Sequence, residues 1–430
     1  MHADRYGLTL TCSCAAAQEH YVTGADLLLS NQPGANLRFE QALALDPAFA
    51  MAHAALARHH QVWGRVTEAR AAIASARTCA ATASRREQQH IALLAVLLEG
   101  RTSDALRMLI EHLQDFPRDA IALGTALGAF GLLAFSGHPD HDGVRLGLSE
   151  RLAPAYGNDW WFLGYLGWAH IEAGSLQAGE RHVERSLALK SDNANAIHAW
   201  AHLAYEQGRA AASMLRLDSL TASYATQAVL HNHLRWHAAL GALSAGRVEG
   251  ALAIYDQHLA PGVSTAPFFN ALTDAISLLW RCELASGQPL DTARWEALHH
   301  FIKPRSYQPT VAFLDVHVAG LYARVHDLAA FDALLSHIKR AVEGGRVPAG
   351  CAVPVLCEAL RAHAAGDAQQ TNALLDAQAG NIVRIGGSGA QRDLFFETLA
   401  AAQAEAGDTN AVQRSDVWRA LNLPKASWAS

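Results

Sequence analysis

Residues 160–193 read WWFLGYLGWAHIEAGSLQAGERHVERSLALKSDN, and this stretch decides the fold. Leu166-Gly167 leads to a turn glycine at Gly174. Ala178, Val183 and Leu187 follow before a polar exit at Lys190-Ser191-Asp192-Asn193. The spacing is that of a helix–turn–helix unit with a period of about 34 residues. One period on, Ala194 opens the next unit and Gly208 stands where its turn glycine is required. Gly246 times the unit after that, which starts at Asn232 and carries Ala251 and Tyr255 where a second helix needs packing residues.

The pattern extends both ways. Upstream, RFEQALALDP closes a second helix at Asp46-Pro47. One unit then runs through His53, Leu56 and His60 to Gly64, Ala69 and Ile73, and another has Gly100, Ala105 and Leu109 before Phe116-Pro117. The phase slips near residues 137–156, where HPDHDG (138–143) reads as a loop and 145–152 as an amphipathic helix. It resumes and continues through Asp274, Arg281 and Gly287, then degenerates after Gln288-Pro289. Helices are expected over 313–321, 328–342, 353–365 and 369–378, and from Ala390 to about 406, with 410–422 as a cap. This is tetratricopeptide-type spacing. The expected fold is all-α, a right-handed solenoid of helical hairpins. Residues 1–36 form an irregular start and a leading helix, 37–300 the array, 301–422 degenerate repeats and cap, and 423–430 a tail.

A chain of 430 residues exceeds what one compact core usually supports, which favours an elongated array. With 51% hydrophobic and 17% charged residues, disorder is not expected. The net charge of −6, without a basic run, sets nucleic acid aside. Six cysteines in so long a chain are no disulfide framework, so a reduced, cytoplasmic protein is expected. Residues 120–137 are apolar and uncharged for about a membrane span. Gly124, Gly128, Gly131 and Gly137 speak instead for closely approaching helices, so no membrane is expected. That stretch and the cap are surfaces on which a homodimer could form.

Two histidine pairs stand four residues apart, HAWAH at 198–202 and HLRWH at 233–237. On a helix this spacing stacks both rings on one face. By repeat phase His198 and His202 take positions 5 and 9, and His233 and His237 positions 2 and 6. Asp274, Ser277 and Arg281 take positions 2, 5 and 9. Likeness to the repeat implies that these positions line the concave groove. Against a mere packing role stand Leu166, Leu203, Ala239 and Tyr255, which already hold the core-facing positions.

Three chemistries compete for the four rings. Neutral imidazoles on adjacent helices can hold a divalent transition metal, with Asp274 completing the set. They can act as general acids and bases, His202 and His237 being the catalytic candidates. Or the groove simply binds, the loop at 385–389 and the helix start at Gln391 and Arg392 offering N–H groups and a guanidinium to an anion; a plain connecting turn, with Asp393 pairing Arg392, is the rival reading there. Gly386-Gly387-Ser388-Gly389-Ala390 misses the G-x-S-x-G elbow, and no Lys follows for a phosphate loop. Cys12 and Cys14 read as incidental. Trp160, Trp161, Trp168, Trp200 and Trp236 read as groove floor or core.

Separate stretches together resemble the tetratricopeptide repeat protein 38 family. They are Gly7-Leu8 with Leu10-Thr11, Arg85-Arg86-Glu87-Gln88 with His90, Ala201-His202, His233 with Trp236-His237, Tyr255-Asp256, Asp274, Asp315 with His317, and Gly386-Gly387-Ser388 with Ala390-Gln391-Arg392-Asp393. Ala204-Tyr205 before Glu206, and Arg235, depart from its pattern. The resemblance implies the fold and assigns no activity. The functional expectation is a cytoplasmic binding protein whose His-lined groove, from about His90 to Arg281, holds a peptide or small anionic molecule. The rival is a metal-dependent or acid–base enzyme acting on a small molecule at the same histidines.

Overall fold

Gly174 and Gly208 both take a left-handed backbone, φ 79° and 66°, which an L side chain adopts only under strain. At the first, Gly174 N–H donates to Ile171 O (2.9 Å) and Ser175 N–H to His170 O (2.8 Å). The pair closes the preceding helix as a Schellman turn and reverses the chain. The same turn recurs through the array, so the molecule is an all-α solenoid of helical hairpins. The computed structural model describes residues 2–303, 307, 309 and 311–407.

The hairpins are Ala15–Leu29 with Ala35–Leu45, Ala50–Val62 with Val66–Cys79, Arg85–Leu98 with Thr102–Asp115, Trp160–Glu172 with Leu176–Leu189, Ala194–Glu206 with Met214–Thr221, and His231–Ser244 with Val248–Ile254. Phe268–Ser286 with Thr292–Ile302, Ala312–Arg324 with Leu328–Glu343, and Ala352–Ala364 with Ala368–Gln378 follow, and Gly389–Glu405 ends the described chain. Within the deciding stretch the two helices cross closely. A Cβ on Gly167 would lie 2.6 Å from Val183 Cγ2, and one on Gly179 2.8 Å from Gly167 O. Only glycine fits that crossing.

The structure adds detail to three stretches. The irregular start carries one short pairing, His2–Ala3 antiparallel with Thr9–Leu10, and Thr11 hydrogen-bonds Glu87 through Oγ1 (2.6 Å) and N–H (2.8 Å). The apolar run 120–137 is not a full helix. It holds Ala120–Leu127 and then leaves the helical path at Gly128, so the irregularity precedes the residues where phase slips, and His141–Tyr156 is a helix capped by Asp140. Among the described residues no helix is long and apolar enough to cross a membrane. The expected cap at 410–422 and the tail at 423–430 lie outside the described residues.

The groove does not stay open. The turn of the first hairpin meets the middle of the chain, where Asn31 Nδ2 donates to Asn195 Oδ1 and Asn195 Nδ2 to Leu29 O, both at 2.7 Å. Farther on, Arg384 donates to Gly137 O (2.9 Å) and Arg392 pairs with Asp142 (2.8 Å). Phe130, from the broken helix, meets Phe269 and Phe313 at ring-centroid distances of 4.5 and 5.6 Å. Segments far apart in sequence are thereby packed against one another.

Candidate functional site

The helices Ala194–Glu206 and His231–Ser244 are buried around most of their circumference, the signature of helices packed on all sides. Their i, i+4 histidines therefore face protein. His198 and His202 meet at 4.5 Å between centroids, His233 and His237 at 5.0 Å, His198 and His233 at 4.9 Å, and His202 and His237 at 4.6 Å. One nitrogen from each of the four lies within 4.8 Å of the others.

Carboxylates behind the rings fix their tautomers. Asp274 accepts from His233 Nδ1 at 2.9 Å. Glu172 Oε1 lies 2.9 Å from His202 Nδ1, off the line of a well-formed hydrogen bond. With the proton on Nδ1, each ring turns its Nε2 lone pair inward. Both inward nitrogens then approach His198 Nε2, at 3.1 Å from His233 and 3.0 Å from His202. One proton on His198 can bridge only one of these contacts. The other sets lone pair against lone pair, and His237 Nε2 is buried with no partner at all. A tetrahedral ion with bonds of about 2.0–2.1 Å would need nitrogens roughly 3.3 Å apart. The donor set fits a transition metal, and Asp274, expected as a ligand, stands instead behind His233.

Burial, reinforced by the neighbouring rings, drives the pKa of His198 and of His237 well below the ordinary value, so both are neutral donors. Trp236 stacks on His233 (5.2 Å, 11° between planes) and meets His237 edge-on at 5.0 Å. It is core and wall at once, and holds both rings in place.

His90 does not join the quartet. It belongs to a second buried cluster in which His90 Nδ1 (2.9 Å), His112 Nε2 (3.2 Å) and Arg86 Nη1 (3.1 Å) all point at Asp119. Burial opposes ionisation of Asp119, but His90 and Arg86 outweigh it and its pKa lies well below the ordinary range.

The loop at 385–389 spends its donors internally. Gly389 N–H donates to Glu172 Oε2 (2.8 Å), Gln391 closes a capping box with Ser388, and Arg392 is held by Asp142 and Gly387 O. Tyr205 donates to Asp393 (2.8 Å), so Asp393 has a partner other than the expected Arg392. The expected anion cradle is thus a brace: it presses on Glu172, which orients His202. Arg281 ties its helix to Ala390 O (2.7 Å). His317 hydrogen-bonds Phe313 O (2.7 Å), with burial pulling its pKa to about 4, and Asp315 accepts from Tyr307.

Beside the quartet opens a cavity of about 330 Å³ whose lining includes His198, His233 and Trp168 as well as Arg58 and Gln61. Sequence reasoning passed over Glu172, Asp142, His112, Asp119 and Arg58. Glu172 carried a signal: it is the last residue of its helix, where the dipole disfavours a carboxylate. No family model matches the chain.

Proposed function

We propose that His198, His202, His233 and His237 hold one divalent transition-metal ion, and that the chain is a metal-dependent enzyme acting on a small molecule admitted through the adjoining cavity. The observation that carries this is the convergence of lone pairs whose tautomers are set from behind by Asp274 and Glu172. Carboxylate–histidine pairs of this kind orient ligands and raise their basicity. An ion held by these four residues would supply Lewis acidity on taking a fifth ligand from the cavity. The protein's part is to keep four imidazole donors in a site with Trp236 and Trp168 as walls, and to present His198 and His233 to the cavity.

The rival reading, a groove-binding protein, is supported less, because the four histidines converge on one another rather than spread along a surface. Membership of the tetratricopeptide repeat protein 38 family is part of the proposal. Its support is that residues carrying the resemblance meet in two places, Thr11 with Glu87 and His233 with Asp274. A cytoplasmic home is supported by six free cysteines. Metal analysis of untagged full-length protein tests the centre. Stoichiometric metal lost in the His202→Ala/His237→Ala double variant is expected. Traces of metal indifferent to that change would remove the reading.

A further inference from the structure

Buried arginines elsewhere in the chain face carboxylates: Arg86 meets Asp119, Arg145 and Arg392 meet Asp142, and Arg281 meets Glu397. Arg58 does not. Its Nη1 donates to Gln61 Oε1 (2.7 Å) and its Nη2 to Gly124 O (3.3 Å). Among the described residues no carboxylate lies within ion-pair distance. Two of five guanidinium donors are accounted for. Withdrawal from water lowers its pKa, with Tyr165 pulling the other way and no carboxylate contributing.

Arg58 is half-buried, and a guanidinium drawn partly out of water with no carboxylate beside it favours an anionic partner. Arg58 lines the cavity beside the histidines and, among the described residues, is the one arginine, lysine or carboxylate side chain to do so. The rest of the wall is largely apolar and aromatic, with Phe130, Phe135, Phe269 and Leu230, and the volume falls at the lower end of the roughly 300–1,000 Å³ usual for small-molecule sites. The nearby amides of Asn31 and Asn195 bond one another and Leu29 O. A phosphate monoester, at about −1.5 to −2 charges, would exceed what one guanidinium balances. A monoanion matches it.

We propose that the cavity takes a small organic monocarboxylate with an apolar or aromatic body, its carboxylate bound by Arg58 and its other end directed to His198 and His233. The proposal rests on the metal reading for what occupies that other end, and it names the substrate class of the same site.

The test measures binding of 3-phenylpropionate and hexanoate, each against its primary amide, to the cobalt-loaded full-length protein by calorimetry, while the cobalt visible spectrum is followed. The acids should bind about tenfold or more tightly than the amides, as a charge-assisted hydrogen bond is worth that much. Arg58→Gln should erase the difference with the cobalt spectrum of the free protein unchanged, and Arg58→Lys should restore part of it. Equal binding of acid and amide by the native protein, binding of neither, or discrimination that survives Arg58→Gln would each overturn the proposal. Acid preference that persists in protein unable to take up cobalt would instead remove the metal reading and leave the Arg58 assignment standing.

Discussion

Two buried clusters build from the same side chains in opposite order. Around Asp119 the carboxylate stands at the centre, and His90, His112 and Arg86 direct their donors at it. In the quartet the carboxylates of Asp274 and Glu172 stand outside, and the imidazole lone pairs meet in the middle. The first arrangement supplies its own counter-charge through Arg86. The second brings imidazole nitrogens together with no opposite charge among them and leaves His237 Nε2 without a partner, which is the ground for proposing a cation there. Which group occupies the centre, rather than how many histidines gather, separates a structural knot from a ligand site.

The contrast is sharpest when each centre is broken. Asp119→Asn should destabilise the fold by about 3–5 kcal/mol in urea unfolding, since it strands a buried guanidinium, while leaving metal content untouched. Loss of metal in that variant would erase the distinction drawn here.

Acid should separate the two clusters as well. His198 and His237 have folded pKa values well below about 6.5, so the unfolded chain binds protons first and stability falls as pH drops below that value. His317, held at about 4, alone contributes on the order of 3 kcal/mol of this loss by pH 4. Asp119 has the same sign of linkage in a lower window: its lowered pKa keeps its contribution intact until pH falls below about 3.8. Denaturation across pH 3–8 should therefore show stability declining from about 6.5 downward, with a further decline below the carboxylate range. A flat profile between pH 7 and 4.5 would contradict the assignment of neutral buried rings.

The smallest effect is expected from the outer carboxylates. Glu172→Gln and Asp274→Asn should each weaken metal affinity about 10–100-fold without dismantling the array, as competition with a chelator would report. No change in either variant would mean that the rings are oriented by packing alone.

The fold was legible where glycine keeps time. Gly64, Gly100, Gly174, Gly208, Gly246 and Gly366 all take positive φ at the hairpin turns. Phase was lost after Gln288-Pro289 partly because His326 fills the equivalent left-handed position, at φ 56°, where no glycine advertises the turn. The quartet was legible too, because i, i+4 spacing and repeat phase are local facts. Asp274 was found, though placed on the wrong side of its partner ring. Glu172, Asp142 and Arg58 were not, since their roles arise from contacts between distant segments: Gly389 with Glu172, Arg392 with Asp142, and the cavity wall that Arg58 shares with His198. Closure of a superhelix on itself leaves no periodic trace. It also turned the expected anion loop into a brace, because the donors at 389–392 are consumed by groups that spacing alone cannot bring near.

The central claim is that four imidazoles share one ion. X-ray absorption at the metal edge of the untagged full-length protein tests it most directly. The account predicts a first shell of about four nitrogens at roughly 2.0–2.1 Å with imidazole outer-shell scattering, absent from the His202→Ala/His237→Ala variant. A sulfur shell, an oxygen-dominated shell, or an identical spectrum in that variant would contradict it.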